Sequence, residues 1–170
     1  MTRKGYDVDL LIKVLKDFQN RHQVKVILEP GSAVVWETGD LHASVLDIVE
    51  SGNVKTALAD ISFTCHMPDC LEMPYKPKVT NASRVPKNGQ SKYRIGGVSC
   101  LAGDFMEAYG FDEPLAVGDP LIFEDMIHYT MVKTSTFNGV RHPSIGIKRE
   151  DGSFDLIKEF SYEDFKNRLS

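Results

Sequence analysis

Apolar and polar positions change their period along this chain, and that change divides it. Val8, Leu11, Ile12, Leu15 and Phe18 recur at helical spacing, with Asp7, Lys13, Lys16 and Asp17 between them. This predicts a helix over 7–20 with Asp7 as its N-cap. Val24 to Leu28 is a short apolar run stopped by Glu29-Pro30-Gly31, and it reads as a strand. The period then becomes two. Residues 33–37, 41–50, 55–63, 92–98, 121–133, 144–149 and 154–160 are rich in β-branched side chains and separated by Gly, Asp, Asn and Pro. Each reads as a strand. Asp151-Gly152 joins the last two as a hairpin. Ser161 to Leu169 reads as a closing helix, with Ser161 as N-cap and Asp164 three residues on.

A helix and one apolar strand are the parts of a βα barrel or another parallel sheet. One such strand has no parallel neighbour by itself. The chain therefore reads as entering partway through a domain: residues 1–32 as the remnant of one architecture, and 33–170 as a β-rich domain. The expected fold class is mainly β with flanking helices, α+β overall. Residues 75–91 carry two prolines and three lysines without periodicity, and read as a long surface loop.

The composition narrows the function. The 170 residues are 42% hydrophobic and 26% charged with a net charge of −4, which lacks the basic footprint of a nucleic-acid binder. The three cysteines are an odd number without an apolar leader, the pattern of a reducing compartment. No apolar run approaches the roughly 20 residues needed to cross a bilayer. The expectation is a cytoplasmic protein.

Four constellations are candidates for chemistry. Glu29-Pro30-Gly31-Ser32 ends the early strand, where parallel folds place ligands and where glycine lets a phosphate approach the backbone; the alternative is a plain strand-ending turn with Glu29 merely solvated. Gly96-Gly97-Val98-Ser99-Cys100-Leu101-Ala102-Gly103-Asp104 is a glycine-rich turn holding a cysteine, which serves either as nucleophile or proton donor or as a buried structural thiol. Thr64-Cys65-His66-Met67-Pro68-Asp69-Cys70 has metal-ligand residue types at poor zinc spacing, so a polar substrate-facing loop is the alternative and no metal is assigned. Tyr129 precedes Ser135-Thr136-Phe137-Asn138-Gly139, and its hydroxyl is either a phosphate donor or the wet tip of a core residue.

In sequence order these pieces resemble the ornithine, diaminopimelate and arginine decarboxylase superfamily of pyridoxal-phosphate enzymes, which have an alanine-racemase-like fold. The text EPGSAVVWETGDL, VLDIVE, CHMPDCLEMPY, GGVSCLAGDF and FEDMIHYTMVKTSTFNGV is similar within it to carboxynorspermidine (carboxyspermidine) decarboxylases, over essentially the whole chain. The resemblance implies the C-terminal β-barrel or sandwich domain, preceded by the last helix-strand unit of the βα barrel. It implies pyridoxal 5'-phosphate as cofactor and a carboxylated polyamine as substrate. By the same resemblance Glu29 pairs with the pyridine nitrogen, Gly31 meets the phosphate through its backbone, and Tyr129 reaches that phosphate. Cys100 delivers a proton to the substrate carbon after CO2 loss, while His66, Asp69 and Asp104 face the polyamine. Ser32 stands where relatives carry a charged side chain at the substrate. Leu101 stands where ornithine decarboxylases carry an aspartate, which argues against ornithine.

The family's Schiff-base lysine has no match before Glu29. Lys4, Lys13, Lys16 and Lys25 lack its motif. The expectation is an incomplete enzyme, inactive alone, whose active site forms between two subunits of a homodimer. A non-enzymatic dimerisation or polyamine-binding remnant is the alternative, and a small zinc domain built on Cys65, His66 and Cys70 is a third.

Overall fold

A computed structural model describes residues 5–169, apart from the side chain of Ser32. The chain divides into two compact units, Met1–Trp36 and Glu37–Ser170. In the first, α1 (Val8–His22) is capped by the Asp7 carboxylate, which accepts from the Leu10 N–H at 2.9 Å. Acidic Asp9 opens the helix and Arg21 and His22 close it, matching the helix dipole. Residues 24–28 form no strand. An apolar run becomes a strand only when a neighbour takes its N–H and C=O groups, and none is present among the described residues of this unit. Residues 33–37, also read as a strand, fall largely in the short helix α2 (Gly31–Val35). Pro30 in front of it supplies a φ of −82°, close to helical.

The second unit carries a six-stranded sheet ordered β3-β5-β4-β2-β1-β6. In chain order these are β1 (Leu41–Ser51), β2 (Val54–Ala59), β3 (Ala82–Ser83), β4 (Ser91–Gly96), β5 (Phe105–Phe111) and β6 (Pro120–Phe123). All neighbours are antiparallel except β2 and β4, which pair in parallel through Thr56–Arg94, Ala57–Ile95 and Leu58–Gly96. Alternation along β1 buries Ala43 and Val45, and a register shift follows between Val45 and Asp47. Ala57, Ala59, Tyr93, Ile95, Tyr109, Phe111, Leu121 and Phe123 complete one continuous core with Ile61, Phe63, Met67 and Val79. Phe63 meets Phe123 edge-on at 5.8 Å.

The 75–91 segment is irregular, but it is not confined to the surface. Pro77 and Val79 are buried. The Tyr109 hydroxyl donates to the Pro77 carbonyl at 2.8 Å, and Val79 bridges to Phe123 on β6. A few residues later β3 pairs with β5. This stretch therefore ties β5 to β6 and supplies the edge strand β3 itself. β7 (Ile145–Lys148) and β8 (Phe154–Lys158) form the expected hairpin. α6 (Tyr162–Leu169) follows, with Ser161 at its start: the Ser161 N–H donates to the Asp164 carboxylate at 2.7 Å, and the Ser161 hydroxyl accepts from the Glu163 N–H at 3.2 Å.

Candidate functional site: a cysteine turn braced from two sides

Three loops of the second unit converge. After β2 the chain does not continue as a strand to Phe63. It turns into α3 (Phe63–His66), capped by the Ser62 hydroxyl, which accepts from the Cys65 N–H at 3.1 Å. α4 (Asp69–Glu72) follows directly. The glycine-rich turn between β4 and β5 folds onto α3, and residues 135–141 fold back onto both.

Asp104 organises the turn. Its carboxylate is buried, and one oxygen accepts from the Ser99 N–H at 2.9 Å and the Ser99 hydroxyl at 2.7 Å. The other oxygen accepts from the Thr64 N–H at 3.2 Å, which joins the turn to α3. The Asp104 carbonyl accepts from the Gly97 N–H at 2.7 Å. A Cβ at Gly97 would lie 2.5 Å from the Asp104 carboxylate, so this position has no room for a side chain. Asp104, expected to contact a substrate amine, has an internal role in the fold: three hydrogen bonds brace the turn through its carboxylate.

Cys100 sits at the tip with its thiol exposed, unlike the buried Cys65 and Cys70. Its N–H donates to the Asn138 side-chain oxygen at 2.9 Å. Burial pushes the Cys70 thiol up to about 11. The exposed thiol is the one available for chemistry.

His66, expected to face the polyamine, is engaged within the fold. The ring is buried, Nδ1 accepts from the Ser62 N–H at 3.2 Å, and Nε2 lies 3.0 Å from the Arg141 carbonyl oxygen. A carbonyl only accepts, so Nε2 carries the proton and the imidazole is neutral. Burial lowers its pKa from the ordinary value. Asp69 is also buried, with Lys133 3.7 Å from one oxygen that has no hydrogen-bond partner. Lys133 also pairs with Glu72.

Tyr129 does not lie in a strand. It opens α5 (Tyr129–Val132) and is exposed. β6 ends at Phe123, and the chain turns through Asp125 at a φ of +59°, so the apolar run from Leu121 is interrupted. Glu29 is exposed, and the Cβ position at Gly31 is open to 4 Å. Ser32 was expected at the substrate, and its side chain lies outside the described residues. Cys100, Asp104, His66 and Asp69 belong to the second unit, as does Tyr129, whereas Glu29 and Gly31 belong to the first. Asn138 is the residue that composition alone did not single out. Its signal is the Asn-Gly pair, which marks left-handed backbone.

Among the described residues, no group of three or more His, Cys, Asp or Glu is placed to hold a metal ion. Cys65 directs its thiol to the Phe137 carbonyl at 3.5 Å, and both His66 nitrogens are engaged in the fold. No helix among them is long and apolar enough to cross a membrane. The residue types that pyridoxal phosphate needs are accessible within each unit by itself: in the first, Glu29 is exposed and the backbone at Gly31 is open, and in the second the Tyr129 phenol is exposed.

The sheet and its cysteine turn define a class. The family described as "Pyridoxal-dependent decarboxylase, C-terminal sheet domain" matches residues 7–127, and the chain belongs to it. Its cofactor is pyridoxal phosphate. Among individual proteins, it is 58% identical to carboxyaminopropylagmatine decarboxylase of Synechocystis sp., over 99% of this chain and 44% of that protein. It is 43% identical to the carboxynorspermidine/carboxyspermidine decarboxylase of Campylobacter jejuni, over 99% of this chain and 46% of that one. The crystal structure of carboxynorspermidine decarboxylase from C. jejuni, complexed with norspermidine, superimposes with a TM-score of 0.88 at 44% identity. That match covers 98% of this chain and 48% of that one. Diaminopimelate decarboxylase from M. jannaschii shares the fold, with a TM-score of 0.72 at 24% identity. The chain spans a little under half the length of the curated relatives it matches.

Proposed function

We propose that this chain is the C-terminal half of a pyridoxal-phosphate-dependent decarboxylase that removes CO2 from a carboxylated aminopropyl polyamine. Carboxyaminopropylagmatine is the first substrate to test, since the 58%-identical relative is named for it, and carboxynorspermidine and carboxyspermidine follow. The observation that carries the reading is an exposed Cys100 thiol on a turn fixed by a buried carboxylate.

When bound, pyridoxal phosphate supplies an electron sink for the pair released as the C–CO2 bond breaks. The remaining work falls to the protein. Cys100 gives its proton to the substrate carbon and regains one from solvent. Glu29 holds the pyridine nitrogen, while Gly31 and Tyr129 hold the phosphate. Asp69, buried beside Lys133, is the carboxylate of this unit for a substrate ammonium. The family resemblance assigns Ser32 to the substrate as well. The net charge of −4 suits a polycationic substrate. The enzyme works in the cytoplasm as a homodimer, with the cysteine turn of one protomer facing the cofactor of its partner. The lysine that carries the cofactor belongs to the N-terminal half.

CO2 release from the three carboxylated polyamines by the enzyme containing this chain tests the proposal. Release from at least one of them is expected. Cys100→Ala should lower kcat by about 100-fold or more, the ordinary contribution of a positioned proton donor. No release from any of the three, or wild-type turnover by Cys100→Ala, would refute it.

A further inference from the structure

Resting on the reading of Cys100 as the proton donor, the geometry points to Asn138 as the residue that positions it. The contacts form a closed circuit. Thr64 on α3 donates its N–H to Asp104 in the cysteine turn at 3.2 Å, and the Thr64 and Ser99 hydroxyls lie 3.2 Å apart. From the same helix, the Cys65 carbonyl accepts from the Ser135 N–H at 2.9 Å, and the Cys65 thiol donates to the Phe137 carbonyl at 3.5 Å. The 135–138 segment so docked returns to the turn, where the Asn138 side-chain oxygen accepts the Cys100 N–H at 2.9 Å. Asp104 fixes the turn one residue before the thiol, at Ser99. Asn138 fixes the residue that bears it.

Asn138 is suited to this in two ways. Its φ of 59° and ψ of 14° are left-handed, a region that asparagine tolerates better than most side-chain-bearing residues. Gly139 follows at a φ of +72°, and its N–H donates to the Thr136 carbonyl at 2.9 Å, so the backbone turns sharply enough to aim the amide at Cys100. The side chain is uncharged. It fixes the N–H without placing a negative charge beside the thiol. The neighbours on both sides are held within the turn, Ser99 by the Asp104 carboxylate and Leu101 through its carbonyl, which accepts from the Asp104 N–H at 2.9 Å; the Asn138 bond adds the hold on Cys100 itself.

Three substitutions separate backbone from hydrogen bond. Asn138→Gly keeps the left-handed backbone and removes the acceptor. Asn138→Ala removes both, and Asn138→Asp keeps both while adding charge. Two readouts apply in the enzyme loaded with pyridoxal phosphate: hydrogen exchange of the Cys100 amide, and steady-state decarboxylation with its pH profile. Asn138→Gly and Asn138→Ala should each speed amide exchange about fivefold to tenfold, the scale of one lost hydrogen bond. They should lower kcat about tenfold while KM stays within about twofold, because the proton donor and not the binding surface is loosened. Asn138→Asp should restore slow exchange and return kcat, with the pH profile displaced upward by the added charge.

Wild-type exchange and kcat in Asn138→Gly would overturn the assignment, since only the backbone would then matter. A fall in kcat with unchanged Cys100 exchange would overturn it equally. If Cys100→Ala itself keeps wild-type kcat, the proton-donor reading fails, and amide exchange still decides whether Asn138 holds the turn.

Discussion

Asp104→Asn isolates the internal role of the buried carboxylate. Wild-type Asp104 accepts three hydrogen bonds: two from Ser99 on one oxygen, and one from the Thr64 N–H on the other. An asparagine oxygen can keep the Ser99 pair, but its NH2 then faces the Thr64 N–H, donor against donor. Hydrogen bonds to a charged group contribute about 1.5–3 kcal/mol each, and a donor left without a partner in a buried site costs about 1–3 kcal/mol. Losing the Thr64 bond and weakening the Ser99 pair from charged to neutral should together cost about 2–4 kcal/mol. Typical domain stabilities are about 5–15 kcal/mol, so the loss is large. Urea unfolding followed by far-UV circular dichroism measures it. With a slope of about 1–3 kcal/mol per molar, the midpoint should fall by about 1–2 M with little change in slope. A residue that met only a substrate amine would leave the ligand-free midpoint in place. A shift below about 0.2 M at unchanged slope would therefore refute the internal role.

Gly97→Ala should destabilise the same turn by about 1–3 kcal/mol through its clash with Asp104. Combined with Asp104→Ala the cost should fall short of the sum by at least about 0.5 kcal/mol, because the colliding group is gone; strict additivity would contradict the contact. His66 has its pKa lowered by burial, so its neutral form is the folded one. Stability should be full above pH 6.5, the unfolded value, and decline as pH falls through the lowered folded value. His142 is lowered as well and contributes in the same sense, so the comparison is with His66→Asn, which should show a shallower acid decline. Titration with a thiol reagent should find one fast cysteine, Cys100, and release Cys65 and Cys70 only on unfolding. Fast reaction of a second thiol would contradict their burial.

Elements with local, periodic signals were legible from residues alone. The alternation of 41–50, the Asp151-Gly152 hairpin and the Ser161 cap each carry their cause within a few residues, and β1, the β7–β8 pair and α6 form as expected. β5 was not foreseen. Tyr109, Gly110 and Phe111 are buried in succession, so its end lacks the alternation of a half-exposed strand. The apolar runs into Phe63 and Tyr129 look continuous in sequence, yet α3 and α5 interrupt them. Four-residue helices are fixed by caps and tertiary contacts, not by periodicity. Residues 24–28 have strand-like composition without a partner strand among the described residues of their unit. At the site, the cysteine and its glycines stood out by residue type. The internal engagement of Asp104 and His66 did not, because a titratable residue in a polar motif reads the same whether it faces a ligand or the fold. Asn138 was visible only as half of a turn signal, and its bond to Cys100 spans 38 positions.

Protection of Cys100 tests the central claim most directly. In the enzyme loaded with pyridoxal phosphate, the alkylation rate of this thiol is measured with and without saturating polyamine product. A thiol that faces the reacting carbon should be alkylated at least about tenfold more slowly with product bound, as expected when a ligand buries most of the site it fills. Equal rates with and without product would place Cys100 away from the reaction and contradict the account.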